Sequence, residues 1–315
     1  MSAEGHRRIR SGDPAPAALP VRSESEVVAR WVGDRPVVSV LCLTYQHVGF
    51  IEDALRGFLG QDTDFPFEVI VRDDASTDGT AEIVRDYAAR FPNVIRPVLE
   101  TENTFARVRP GLVLIPLARG EFIASCEGDD YWTDPAKLQT QRDGLIDHPG
   151  FVASHHGVTV VRSDVVVRPE KRTRRQCRDF TAHELARGAR IITSSILRRN
   201  LPMETIGPGR FAIDLWVRAR LGQHGGARWE ASVKPSVHRL HDGGIWSSRT
   251  EVERARTQHA LFAGFSEEFA LSAHDDLARY YRRMARALGT YARVADLHPS
   301  VAAAMAVARR SAWGS

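Results

Sequence analysis

The sequence predicts an α/β protein with a mostly parallel central sheet flanked by helices, followed by a helical C-terminal extension. Three observations predict it. Short apolar runs alternate with helical patterns from Val37 to about residue 126, polar clusters stand at the ends of those runs, and the composition turns rich in Ala, Arg, Glu and Leu after Thr250.

The elements follow in chain order. Residues 37–43, Val-Val-Ser-Val-Leu-Cys-Leu, form a short apolar run of the kind that makes a strand covered on both faces. A polar turn, 44–49, leads to Ile51, Ala54, Leu55, Phe58 and Leu59 at helical spacing. The alternation repeats with a strand over 67–71, a helix over 77–90, a strand over 94–99 and another over 122–126. Beyond residue 150 the pattern predicts one strand over 151–161, a basic loop over 168–178 and helices from Thr250, the last over 299–312. Residues 1–35 mix Ser, Pro, Ala, Gly and charge without a period and read as a flexible leader outside the fold. The main domain then runs over 36–248 and the helical extension over 249–315.

Composition narrows the function classes. A chain of 315 residues with 43% hydrophobic content buries a full core. Its net charge, 43 minus 39 or +4, favours anionic ligands without identifying one. A basic stripe interleaved with aromatics is missing, so nucleic acid is not an expected partner. Cys42, Cys126 and Cys177 include no CxxC pair, which argues against a disulfide scaffold and fits a reducing cytoplasm. With no apolar stretch long enough to span a bilayer, the expected location is cytoplasmic, with peripheral contact at the inner membrane face compatible.

Two acidic segments fall at strand ends, where open α/β sheets bind ligands. In the first, 71–80, Asp73 and Asp74 close a strand just before a helix. A carboxylate there can accept from the N3–H of uracil or thymine or from a ribose hydroxyl. Helix capping accounts for Ser76, Thr77 and Asp78 but leaves the Asp73-Asp74 pair unexplained. In the second, Glu127, Asp129 and Asp130 crowd three carboxylates into four positions after the strand 122–126. Like charges so close are costly unless a cation sits among them, and oxygen ligands favour Mg2+ or Mn2+. A solvated acidic turn is the competing reading.

These segments, with 38–45 before them and 118–123 between, resemble family 2 glycosyltransferases of the GT-A fold, in order and spacing. The resemblance implies transfer of a sugar from a nucleotide-diphosphate donor, of UDP or dTDP type, to an acceptor hydroxyl with inversion. It implies that Thr44, Tyr45, Asp73 and Asp74 line the nucleoside pocket, Asp74 reading the base. Asp129 would lie near the ribose or sugar, and Asp130 would hold the metal. The chain departs from the family at Gln46, where Asn is common, and over 100–117, where Glu102-Asn103 is the nearest trace of the usual signature.

Further on, the resemblance assigns Asp214, at a helix start, as the general base, a role compatible with helix capping. It assigns His241, in the segment 237–246, to the metal or diphosphate, with a loop histidine satisfied by its neighbours as the alternative. His238 and His241 alone lack the further ligands of a zinc site. Arg239 reads either as a phosphate contact or as solvated. Arg168, Lys171, Arg172, Arg174, Arg175 and Arg178 read as a solvated charged segment. Two other classes compete: a nucleotidyltransferase, which would want a Gly-rich basic loop where 44–49 has none, and a nucleotide-sugar sensor without turnover.

Overall fold

The structure is a computed structural model that describes residues 9–104, 113–169, 177–202, 213–244, 249–272 and 274–297. The chain divides into two compact units, Met1–Pro202 with Val217–His241, and Met203–Trp216 with Asp242–Ser315. Among the described residues near the expected boundary at 248, 217–241 group with the first unit, and 213–216 and 242–244 with the second. The expected helix over 299–312 and the loop arginines and lysine at 171–175 lie outside the described residues.

The first unit is built on seven strands in the order β3-β2-β1-β4-β8-β5-β9. Strands β1 (Val38–Thr44), β2 (Phe67–Asp73), β3 (Ile95–Leu99) and β4 (Phe122–Ser125) run parallel. Strand β8 (Leu197–Arg199) is antiparallel to β4 and to β5 (Phe151–His155), and β9 (Gly226–Trp229) closes the edge parallel to β5. The strands are mostly apolar because both faces are covered. Val38, Val40, Cys42, Val69, Val71 and Ala124 pack under α2 (Ile51–Leu59), α3 (Thr80–Arg90) and α4 (Lys137–Asp147), while Leu41, Ile70 and Ile123 on the other face meet Leu114 and Ile115.

The single strand expected over 151–161 is two. After β5 the chain leaves the sheet at His156-Gly157 and starts β6 (Val158–Arg162), which pairs with β7 (Val165–Arg168) and β10 (Ser236–Arg239) in a separate three-stranded sheet. Apolar content runs straight through the break, which is why periodicity alone joins the two.

The expectation of a free leader is corrected for residues 9–35. Gly12 and Ala15 amides donate to the Val166 and Asp164 carbonyls, each at 2.8 Å, so the segment extends the edge of β7. Ile9, Ala15 and Ala18 pack on Tyr131, Val161, Val166 and Val237. A one-turn helix, α1 (Glu24–Val28), carries a Ser23/Glu26 capping box and buries Val27 in the core. Elements of one turn or one bridge are too short to leave a period, although the Ser-x-x-Glu spacing was readable.

His155 makes this unit acid-sensitive. Its ring lies 5.1 Å from that of Phe180 and 5.2 Å from that of Trp229, and its Nε2 sits 3.2 Å from the Arg178 carbonyl. Burial pushes its pKa from 6.5 down to about 4. The unfolded chain therefore takes up the proton first, so the stability it contributes is complete above about pH 6.5 and is lost as pH falls towards 4. The expected loss is about 3 kcal/mol. Urea unfolding at a series of pH values should show it, and His155→Gln should flatten that dependence; an equally steep curve in the variant would assign the effect elsewhere.

In the second unit, α7 (Glu251–Leu271) and α8 (Asp275–Leu297) form a helical hairpin, α7 opening on a Thr250/Glu253 capping box. Phe262, Phe265 and Phe269 meet the Tyr281 ring inside it, and Leu261, Leu277 and Leu288 are buried as well. Helix α6 (Ile213–Leu221) carries Asp214 in its first turn. No helix among the described residues is long and apolar enough to cross a membrane.

Candidate functional site

The site is assembled where β1, β2, β4 and β10 end. Strand order reverses between β2-β1 and β1-β4, so the loops after β1 and β4 diverge and leave room at their carboxyl ends. The loop after β1 is fastened to the loop after β2. The Gln46, His47 and Val48 amides donate to Ser76 Oγ, Thr80 Oγ1 and Asp78 Oδ2, each at 2.9 Å, and the Gln46 amide side chain bonds Thr77 on both sides. Gly79, at φ +104°, turns the chain into α3 in place of the Ser76 or Thr77 cap expected from sequence. Gln46 is therefore a structural residue of this loop rather than a lapse from a ligand-binding pattern.

The two acids that end β2 do different things. Asp73 is drawn into its own turn, accepting from the Ser76 amide at 2.8 Å and from the Ser76 hydroxyl. Both oxygens of this acid, expected among the nucleoside contacts, thus have a partner within the turn. Asp74 is buried, and its Oδ1 accepts from Arg72 Nη2 (3.1 Å), the Thr104 amide (3.1 Å) and Thr104 Oγ1 (2.7 Å). All of these bonds fall on Oδ1, so Oδ2 has no donor among the described residues. Arg72, itself buried, is held in turn by Glu100, so the guanidinium fixes Asp74 in place. The Asn103 amide side chain donates to the Asp74 carbonyl at 3.3 Å, which shows what the Glu102-Asn103 segment does.

Thr44 ends β1 fully buried, and its Oγ1 has no partner among the described residues. Gly128 packs against it so closely that a Cβ would lie 2.8 Å from that oxygen, so the acidic loop can approach only with glycine there. Tyr45 is 42% exposed, its ring available to a ligand.

Successive carboxylates after β4 point apart. Asp130 is buried, both of its oxygens 3.0 Å from His238 Nδ1, with the Arg239 amide donating to Oδ1 at 2.9 Å. Burial pushes the His238 pKa down, but the Asp130 carboxylate outweighs it and lifts the imidazole to about 9. With two donors converging on it, Asp130 is the acceptor of an ion pair. Asp129 faces the other way: its Oδ2 lies 3.0 Å from His241 Nε2 and 4.0 Å from His47 Nε2. His47, Asp129 and His241 each offer a ligand atom within 4.8 Å of one another. Burial holds the His47 pKa down, keeping its ring neutral with a lone pair free, while the bond to Asp129 raises His241. Burial pushes Asp129 up, but His241 and His47 outweigh it and hold the carboxylate ionised.

Two imidazoles and one carboxylate make a donor set for a divalent transition ion such as Mn2+. The family resemblance expects Asp130 to hold the metal and Asp129 to lie near the ribose or sugar; in the structure it is Asp129 that stands with the two histidines. Asp130 is taken by His238 and Arg239, and Asp129 is the carboxylate that joins His241. His47 was missed, because a lone histidine in a polar turn carries no signal until the fold sets it beside residues 129 and 241. Arg239 is neither a free phosphate contact nor solvated: it bonds Asp53 and the Asp129 carbonyl and lies 4.3 Å from the Tyr131 ring centroid. Asp214 lies in the other unit, half-buried in the first turn of α6.

A mostly parallel sheet with a buried, clamped carboxylate and a metal-type cluster at its strand ends defines an α/β protein of GT-A type. The chain belongs to glycosyl transferase family 2, whose model matches residues 39–200. It is 38% identical over 215 residues to an uncharacterized protein of Mycobacterium tuberculosis, covering 67% of this chain and 61% of that one. Over 121 residues it is 35% identical to the poly(ribitol-phosphate) β-N-acetylglucosaminyltransferase TarS of Staphylococcus aureus, 38% of this chain and 19% of TarS. The chain thus spans about three-fifths of the mycobacterial relative's length. The crystal structure of TarS 1–349 in complex with UDP-GlcNAc superposes with a TM-score of 0.52 at 18% identity, over 72% of this chain and 66% of that one, a likeness of fold.

Proposed function

We propose that the chain transfers a sugar from a nucleoside-diphosphate donor of UDP or dTDP type to an acceptor hydroxyl, with inversion. The observation that carries this is the pairing, at adjacent strand ends, of a clamped Asp74 with Oδ2 left open and the His47, Asp129 and His241 cluster. The UDP-GlcNAc bound to TarS supports a uridine donor for a chain of the same fold.

In this reading Asp74 Oδ2 accepts the N3–H of the pyrimidine, its position held by Arg72 and Thr104. Tyr45 stacks on the base, and Thr44 Oγ1 finds in the nucleoside the partner it lacks within the protein. His47, Asp129 and His241 hold the divalent ion, Mn2+ better than Mg2+ because two ligands are imidazole nitrogens. When bound, that ion supplies positive charge to the diphosphate oxygens as the glycosidic bond breaks. Asp214 takes the proton from the acceptor hydroxyl as its oxygen attacks the anomeric carbon. Cys42 and Cys126, both buried and unbridged, suit a reducing compartment.

Release of UDP or dTDP from a panel of nucleotide sugars, measured with EDTA and then with added Mn2+, tests this. Chelation is expected to lower turnover on the order of 100-fold and Mn2+ to restore it. Turnover unaffected by EDTA would remove the ion from the mechanism. A panel in which no nucleotide sugar is turned over and no nucleotide raises the melting temperature would overturn the proposal as a whole.

A further inference from the structure

We infer that the outer face of α8 is an electrostatic docking surface for the headgroups of an anionic phospholipid membrane. The helix is two-faced. Leu277, Ala278, Tyr281, Ala285, Leu288, Tyr291 and Ala292 are buried, with Phe262, Phe265 and Phe269 of α7 against the Tyr281 ring. Opposite them Arg279, Arg282, Arg283, Arg286 and Arg293 are all exposed. At 3.6 residues per turn these five fall within about a third of the circumference, in a row about 20 Å long. Thr290 shares that arc.

The acidic residues of α8 are Asp275 and Asp276 in the first turn and Asp296 near the end, so none interrupts the row. None of the five arginines forms an ion pair among the described residues, although α7 carries the exposed Glu253 and Glu267.

An ordinary solvated helix face mixes signs, because opposite charges three or four residues apart support the helix and like charges weaken it. Five guanidiniums at such spacings repel one another, a cost that a negatively charged surface removes. A straight, convex row fits a plane better than a small ligand, which needs a concave site. Arginine throughout suits phosphate diesters, which the planar fork grips with two hydrogen bonds. The apolar side of the helix is already filled by α7, so the contact rests on headgroups and does not require insertion. Single-stranded nucleic acid, the other common polyanion, is bound through aromatic platforms, and this arc carries none. The inference stands apart from the sugar-transfer reading, since it uses no residue of that site.

Co-sedimentation of the full chain with vesicles of phosphatidylcholine, with and without about one-third phosphatidylglycerol, tests it. Binding is expected to be at least tenfold stronger to the anionic vesicles and to weaken as salt is raised through the range where the Debye length falls below about 10 Å. Each arginine near such a surface is worth roughly fivefold in partitioning, so the triple variant R282Q/R283Q/R286Q should lose on the order of 100-fold. Its melting temperature should match that of the unaltered chain. Should it melt early, the single variants R282Q and R286Q decide, each expected to cost about fivefold. Equal binding to neutral vesicles, glutamine variants that partition unchanged, or capture of RNA or polyphosphate without capture of vesicles would overturn the inference.

Discussion

Asp129→Asn is expected to lower sugar transfer on the order of 1,000-fold and to weaken Mn2+ binding at least tenfold, with the fold intact. The expectation follows from which way each acid faces. Asp129 shares its oxygen with two imidazoles and is only partly buried, so an amide there removes the one anionic ligand without opening the core. Asp130→Asn should behave differently. It breaks the bond to His238, and a fully buried ion pair broken on one side costs about 3–5 kcal/mol. Because the His238 side chain is 37% exposed, solvent screening brings the expected loss nearer to about 2 kcal/mol. Isothermal titration with Mn2+ and thermal melts on both variants separate the two roles. If Asp130→Asn abolished Mn2+ binding at an unchanged melting temperature while Asp129→Asn kept it, the assignment would be reversed.

The second large effect is expected at Asp214. Asp214→Asn should lower kcat by about 100-fold to 10,000-fold, the usual range for losing a positioned base, and leave nucleotide affinity and stability near those of the unaltered chain. An amide keeps the shape and the helix-capping capacity of the carboxylate but cannot take a proton. Steady-state transfer with UDP binding measured alongside gives both numbers. A kcat within threefold of the original would leave Asp214 as a residue of a helix start. Nucleotide binding with no turnover in either protein would favour a sensor over an enzyme.

Much of the parallel half of the sheet was legible because its strands are covered on both faces and so are written as mostly apolar runs; 37–43 became β1 with its boundary shifted by one residue. The acidic segments were legible for the same reason, since strand ends in such a sheet are where polar groups can gather. Where burial is one-sided or local the reading failed. The break at Gly157 is a change of sheet, which leaves composition unaltered, and the packing of residues 9–35 relies on single bridges and one helical turn.

What the sequence by itself determined is the class of the domain, the family and the list of acids at the strand ends, all of which depend on patterns within a few residues. Tertiary structure decided what most of these acids do. Asp73 is spent within its own turn, three residues away, and Asp74 Oδ1 is held by Arg72, two residues away, and by Thr104, 30 residues away; but whether a carboxylate is taken by one imidazole, as Asp130 is, or stands among two, as Asp129 does, depends on His238 and His241, more than 100 residues away. Neighbouring side chains in an extended loop point in opposite directions, so a shift of one position exchanges a structural partner for a ligand set, and no local pattern records which way each one turns.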